Sequence, residues 1–91
     1  RAYEAWHAGR APAIDMLERA IAEARKQAGL STDASRYLAY FVLGSIEDLA
    51  MDVFQWRNPT LKQFAATPED WNRRQAQLWR WAILAPIDSL E

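Results

Sequence analysis

The stretch Ala34–Arg57 constrains this chain more than any other. Apolar side chains recur there at three- and four-residue spacing. Leu38, Val42, Ile46, Leu49, Val53 and Trp56 form one stripe, and Leu43, Ala50 and Phe54 form a second flank. That period belongs to an α-helix and not to a strand. The apolar arc covers more than half of the circumference, so this helix needs neighbours on more than one side and is expected at the centre of a bundle.

The rest of the chain is punctuated for helices around it. Helix 1 is expected over about Pro12–Ala28, with Pro12 suited to the first helical position and Gly29 to the position just past the end. Ala13, Leu17, Ala20, Ile21, Ala24 and Ala28 share its apolar face, with Ile14 at the edge, and Asp15, Arg19, Glu23 and Lys26 lie opposite. Ser31, Thr32 and Asp33 offer N-caps for helix 2, and Asn58-Pro59 ends it. A short helical turn follows at Leu61–Ala65, pinned by Leu61 and Phe64. Thr67-Pro68-Glu69-Asp70 is the strongest local signal: a capping threonine, proline at the first position and two acids facing the helix dipole. Helix 4 runs from Pro68 to about Leu84, limited by Pro86. The expected fold is all-α: a small helical bundle of three long helices plus one short helix, forming a single domain over residues 1–91. Residues 1–10 read as a frayed or truncated segment separated from helix 1 by a break between Gly9 and Pro12. Leu90-Glu91 reads as a cloning scar.

A chain of 91 residues buries only roughly 60–65% of its unfolded surface and needs large side chains in its core. The sequence supplies them: 51% of residues are hydrophobic and 12% aromatic, with five tryptophans. Charged residues make up 25%, an ordinary share for a folded domain, and the formal net charge of −1 gives no global pull toward nucleic acid or anionic lipid. With no cysteine, disulfides, thiol catalysis and cysteine-based metal sites are excluded. The longest apolar run, Tyr37–Leu43, is seven residues, far short of the ~20 of a membrane-spanning helix. No signal-peptide pattern is present, and the cysteine-free composition suits the cytoplasm. The Ala/Arg/Trp-rich, Lys-poor usage suggests a GC-rich bacterial genome by association.

The segment WNRRQAQLWRWAIL concentrates three of the tryptophans among arginines. On the wheel of helix 4, Trp71, Leu78 and Ala82 share one face with Trp79 beside it, and that face is expected to be buried. Trp81 and Leu84, spaced i,i+3, fall on the other side among Arg73, Arg74, Gln77 and Arg80. Large aromatics and arginine are the residue types enriched at interface hot spots. Trp81 and Leu84 are therefore the expected anchors for a protein partner or a second copy, with Arg74, Gln77 and Arg80 around them. The competing readings are that Trp81 packs under the N-terminal segment or a C-terminal tail (Ile87, Leu90), or that it is exposed with an arginine stacked on it.

Glu47, Asp48 and Asp52 form the only acidic cluster in helix 2. A di-metal bundle needs Glu-x-x-His pairs on facing helices, and the chain has none. Asp48 and Asp52 are expected to face water or pair with Arg73, Arg74 and Arg80. Glu47 falls on the apolar flank and needs a cation if buried. His7, the one histidine, lies three residues after Glu4, which permits a helical ion pair or a weak ligand pair. No nucleophile elbow, phosphate-binding glycine loop or zinc-protease motif occurs.

The expected function is that of a non-enzymatic helical protein–protein interaction module, a regulator, adaptor or immunity-type accessory protein acting through the outer face of helix 4, with no cofactor, metal or small-molecule ligand. The alternative is a helical accessory domain or subunit of a larger enzyme. A third reading is a helix-turn-helix DNA-binding regulator, since Leu61–Trp81 runs short helix, tight turn, longer helix. Against it stand the acids Glu69 and Asp70 where a recognition helix meets phosphate, so nucleic acid is an unlikely partner. Membrane-surface binding through Trp and Arg of helix 4 is the remaining class, and the chain lacks the surplus of lysine it needs.

Overall fold

In the computed structural model, which describes residues 2–63 and 66–87, the chain forms four helices. These are α1 (Ala2–Gln27), α2 (Ser35–Ala50), α3 (Pro59–Lys62) and α4 (Pro68–Ile83), with α2 continued by a π-helical stretch, Met51–Gln55. Three are long and one is short, and no strand occurs among the described residues. Phe64, expected to pin the short turn, and Leu90, which a competing reading places over Trp81, lie outside the described residues.

Several ends follow from local chemistry. Gly29 adopts φ 75 just past α1. The Leu30 amide donates to the Arg25 carbonyl at 2.8 Å and the Gly29 amide to the Lys26 carbonyl at 3.1 Å. This is the paired bonding of a Schellman stop, which favours glycine because it lacks Cβ. Thr67 is extended and its Oγ1 accepts from the Asp70 amide at 3.1 Å, with Pro68 in the first position of α4. Asn58 Oδ1 caps α3 by accepting from Thr60 and Leu61 amides.

Other expectations need correction. α1 does not begin at Pro12; it runs unbroken through Gly9 and Pro12 from Ala2. Proline in a helix interior removes one hydrogen bond and costs about 3 kcal/mol. Contacts made by the first three turns offset that cost. Arg10 Nη2 donates to Glu47 Oε1 of α2 at 2.9 Å and Arg10 Nε to Oε2 at 3.2 Å, while the guanidinium lies 4.1 Å from the Trp6 ring. Helix 2 is capped by none of Ser31, Thr32 or Asp33. Its N-cap is Ala34 without a side-chain bond, because Ser31 Oγ is used one step earlier to accept from the Asp33 amide. The same helix stops at Gln55, short of Arg57.

The π-helical turn changes which side chains reach the core. Its i→i+5 bonding advances each residue by less than the α-helical angle. Leu38 and Val42 of the expected stripe are buried, Ile46, Leu49 and Val53 half-buried, and Trp56 is 65% exposed. Phe54 turns outward as well, meeting the half-buried Trp71 edge-on at 5.5 Å between ring centroids. Arg57 then takes φ 52, the left-handed region, to release the chain toward α3.

The core lies between α1 and α2: Ile14, Ile21, Leu38, Ala39 and Val42 are buried, with Leu17, Trp79, Ile83 and Ile87 packed around them. Ile14 is at the centre of the α1 face, and Ala20 and Ala28 are exposed. Arg25 continues this stripe, four residues after Ile21, and is 0% exposed. Its Nε donates to the Ser31 carbonyl at 2.6 Å, and its Nη1 to the carbonyls of Ile83 at 2.8 Å and Ala85 at 2.7 Å. One guanidinium thus clasps the α1–α2 loop and the end of α4. By contrast, Arg36 of α2 bridges Asp15 and Glu18 of α1 on the surface. Its hydrogen bonds to Glu18 first and Asp15 second raise its pKa above an already high value. Pairs this exposed contribute little to stability.

The body is thin. Its extents are 41 × 36 × 19 Å, and its radius of gyration is 14.8 Å, against ~12 Å expected for a compact chain of this length. A thickness of two helix diameters leaves every helix with an exposed side.

Two outcomes test this arrangement by urea unfolding followed by circular dichroism. Arg25→Met removes the donor to three main-chain carbonyls, two of them on half-buried residues, and is expected to cost about 3 kcal/mol; a loss below ~1 kcal/mol would show that the clasp contributes little. Pro12→Ala restores a missing amide in a continuous helix and is expected to add about 2 kcal/mol. No gain would place a break at Pro12.

Candidate protein-docking face on helix α4

Helix α4 is fixed at both ends, by the Thr67 cap at its start and by Arg25 at its finish. Its rotation about its own axis is set from inside. Trp79 is half-buried against the core and its Nε1–H donates to Ser45 Oγ of α2 at 3.2 Å, while Ser45 Oγ itself donates to the Val42 carbonyl. Gln75, one turn earlier, is 5% exposed. The inward line is therefore Gln75, Trp79 and Ile83. Of the face expected to be buried, Trp71, Trp79 and Ala82 are half-buried, and Leu78 departs from it at 58% exposed. The bond from Trp79 to Ser45 and the clasp at Ile83 hold the helix in this rotation.

That rotation presents Trp81 outward, 80% exposed and the most exposed large apolar side chain among the described residues. Gln77, Arg80, Trp81 and Leu84 line one hollow of about 620 Å³ whose far wall is Ala85 and Pro86. Arg74 stands exposed on the same helix and does not line the hollow. The wall is fixed by the same buried cation, because Arg25 holds the Ala85 carbonyl. Neither competing arrangement of Trp81 occurs among the described residues. Ile87 packs on the core, the N-terminal turns of α1 run to Glu47 of α2, and the guanidinium–ring contacts are those of Arg10 and Arg36.

A second hollow of about 430 Å³ lies on the other side of Trp81, in the cleft between α2 and α4. Phe41, Leu49, Leu78 and Ala82 form its apolar walls, and Gln75 and Ser45 also line it. Trp81 borders both hollows and forms the ridge between them. Phe41 and Gln75 were not legible as site residues. Phe41 lay inside an apolar run that reads as core, and Gln75 became inward-facing only through the helix rotation.

The acidic group disperses. Glu47 pairs with Arg10, a partner from the segment that the sequence leaves unplaced. Asp48 is exposed and Asp52 half-buried, and neither forms an ion pair with Arg73, Arg74 or Arg80; Arg73 instead pairs with Asp70 of its own helix at 3.0 Å. His7 contacts Tyr3 rather than Glu4, with Nε2 and the phenol oxygen 2.6 Å apart and the rings edge-on. Among the described residues no group of three or more metal-ligating side chains comes together, and no helix is long and apolar enough to cross a membrane.

No protein-family model, curated protein sequence or solved structure gives a significant match to the chain.

Packing distinguishes the two neighbouring tryptophans energetically. Trp81→Ala is expected to change unfolding free energy by less than ~0.5 kcal/mol, as for an exposed side chain. Trp79→Ala removes a half-buried indole and its bond to Ser45 and is expected to cost about 3 kcal/mol. Urea titrations of the two variants compare them directly, and equal losses would place Trp81 in the core.

Proposed function

We propose that this protein is a non-enzymatic helical interaction module, a regulator, adaptor or immunity-type accessory protein, that docks a protein partner or a second copy through the outer face of α4. The observation that carries this reading is Trp81: an indole 80% exposed on a helix fixed at both ends, over a hollow it shares with Leu84 and Arg80. Exposed aromatic anchors beside arginine are what hot spots consist of before a partner covers them. Pre-organisation favours the same use, since the α4 backbone is already held at both ends and only side chains are left to order on binding. A cysteine-free, lysine-poor composition fits a bacterial cytoplasmic setting.

A second reading is favoured by the spread of exposed apolar side chains. Among the described residues twelve large hydrophobics are exposed, including Tyr3 and Trp6 on α1, Tyr37 and Phe41 on α2 and Trp56 beyond it, against six buried hydrophobic residues. Patches on several sides suit a helical accessory domain or subunit enclosed by a larger enzyme. Immunoblotting of the native host separates the readings: a product much larger than this chain supports enclosure, and one of matching size contradicts it. The α3–α4 pair keeps the outline of a helix-turn-helix, but Glu69 and Asp70 occupy the first turn of α4, so protein docking ranks ahead of DNA.

The test of the docking face is the pair Trp81→Ala and Leu84→Ala together. Light scattering on the purified chain and on the complex recovered from its native host is expected to show the associated mass for the natural sequence and the single-chain mass for the double variant, with helical circular dichroism unchanged. Retained association in the double variant would remove α4 from the interface.

A further inference from the structure

The π-helical stretch ends at Gln55, and the backbone turns away from it at Arg57, which takes φ 52. That region suits glycine, and a side chain held there carries a steric cost. The fold gains no contact in return. Arg57 is exposed, and among the described residues its guanidinium enters no hydrogen bond, ion pair or ring contact. A strained residue that the fold does not use is a candidate for use by a ligand.

Arg57 does not stand alone. It lines a hollow of about 220 Å³ with Lys62 of α3, Val53 and Phe54 of the π-helical stretch, and Ala66 ahead of α4. Lys62 is exposed and equally without a partner among the described residues. Arg10, Arg36 and Arg73 each have a carboxylate. Here two cations share one hollow, and among the described residues no carboxylate lines it. Like charges at one site repel, and an anion between them turns the repulsion into attraction.

Size and charge narrow the ligand. A hollow of about 220 Å³ is smaller than the roughly 300–1,000 Å³ of sites that enclose a whole small molecule. It takes a head group and leaves the rest of the ligand outside. Two positive charges match the charge of about −1.5 to −2 on a phosphate monoester better than the single charge of a carboxylate. Arginine forks onto phosphate oxygens, and lysine adds a point charge. Phe54 supplies an apolar surface at the rim, half of its ring area exposed and its edge set against Trp71.

We propose that Arg57 and Lys62 form a recognition site for the phosphate group of a phosphomonoester whose apolar body lies against Phe54. The site is separate from the Trp81 face, and its test does not depend on docking there.

Chemical-shift titration of the full chain with phenyl phosphate tests it. The amides of Arg57, Lys62 and Ala66 are expected to shift together along one saturable curve. Lys62→Gln is expected to weaken that binding about tenfold, and Lys62→Arg to keep it. Arg57→Gly is expected to weaken it by a similar factor while the urea midpoint stays level or rises, because the left-handed turn suits glycine. Benzoate, with the same ring and a single charge, is expected to bind about tenfold more weakly. Inorganic phosphate, which lacks the ring, is also expected to bind more weakly than phenyl phosphate. Shifts that grow without saturating, or binding that survives both Lys62→Gln and Arg57→Gly, overturn the site. Benzoate binding as tight as that of phenyl phosphate overturns the phosphate group as its ligand. Equal affinity for inorganic phosphate overturns the contact with Phe54. A lower urea midpoint in Arg57→Gly would place Arg57 among the residues that hold the fold, against its assignment to a ligand.

Discussion

The buried guanidinium of Arg25 is the interaction on which the rest of the structure depends. A charge taken fully out of water is tolerated only when its donors are met. Here the acceptors are three main-chain carbonyls, from Ser31, Ile83 and Ala85, and among the described residues no carboxylate takes part. Those carbonyls come from the loop after α1 and from the last turn of α4, where the helix dipole is negative and unpaired carbonyls collect. One side chain thereby holds the α1–α2 loop and the end of α4, and ties α4 to α1, to which a small core alone would hold it weakly. Nη2 remains buried without a partner, so the site is an imperfect fit for the charge and strong in geometry rather than in net energy.

Small size explains the remainder of the architecture. Among the described residues, six buried hydrophobics are few for so many large side chains, and a slab 19 Å thick cannot enclose them. Side-chain bonds therefore settle orientations that packing alone would leave open. Trp79 to Ser45 rotates α4, and Arg10 to Glu47, backed by Trp6, carries α1 across Pro12. Each of these bonds exposes apolar surface elsewhere. Turning Gln75 inward puts Leu78 and Trp81 outward, and the π-helical turn puts Phe54 and Trp56 outward. The face assigned to docking arises from the same constraints that hold the bundle together.

The helices were legible where local chemistry decides them: Thr67-Pro68 at the start of α4 and Gly29 at the end of α1 stand where the sequence puts them. What was not legible depends on distant partners. Pro12 reads as a boundary until Glu47 is known to hold Arg10. Arg25 has no place in the wheel reading of α1, because its role depends on acceptors nearly sixty residues away in sequence. The π-helical turn has no simple residue signature, and it shifts every later position of the wheel, which is why Trp56 was misplaced. Trp81, Leu84, Gln77 and Arg80 could be grouped from the wheel because i,i+3 and i,i+4 neighbours need only the helix itself. Phe41 and Gln75 needed the cleft.

Amide hydrogen exchange in Arg25→Lys tests the central claim most directly, because lysine keeps the charge and loses the fork that reaches three carbonyls. The account predicts that amides in the last turn of α4 and in the α1–α2 loop exchange faster together, while those of the α1–α2 core turns around Ile14 and Val42 keep their protection. Unchanged exchange at the end of α4 would show that Arg25 is not what holds this helix, and the face proposed for docking, in place.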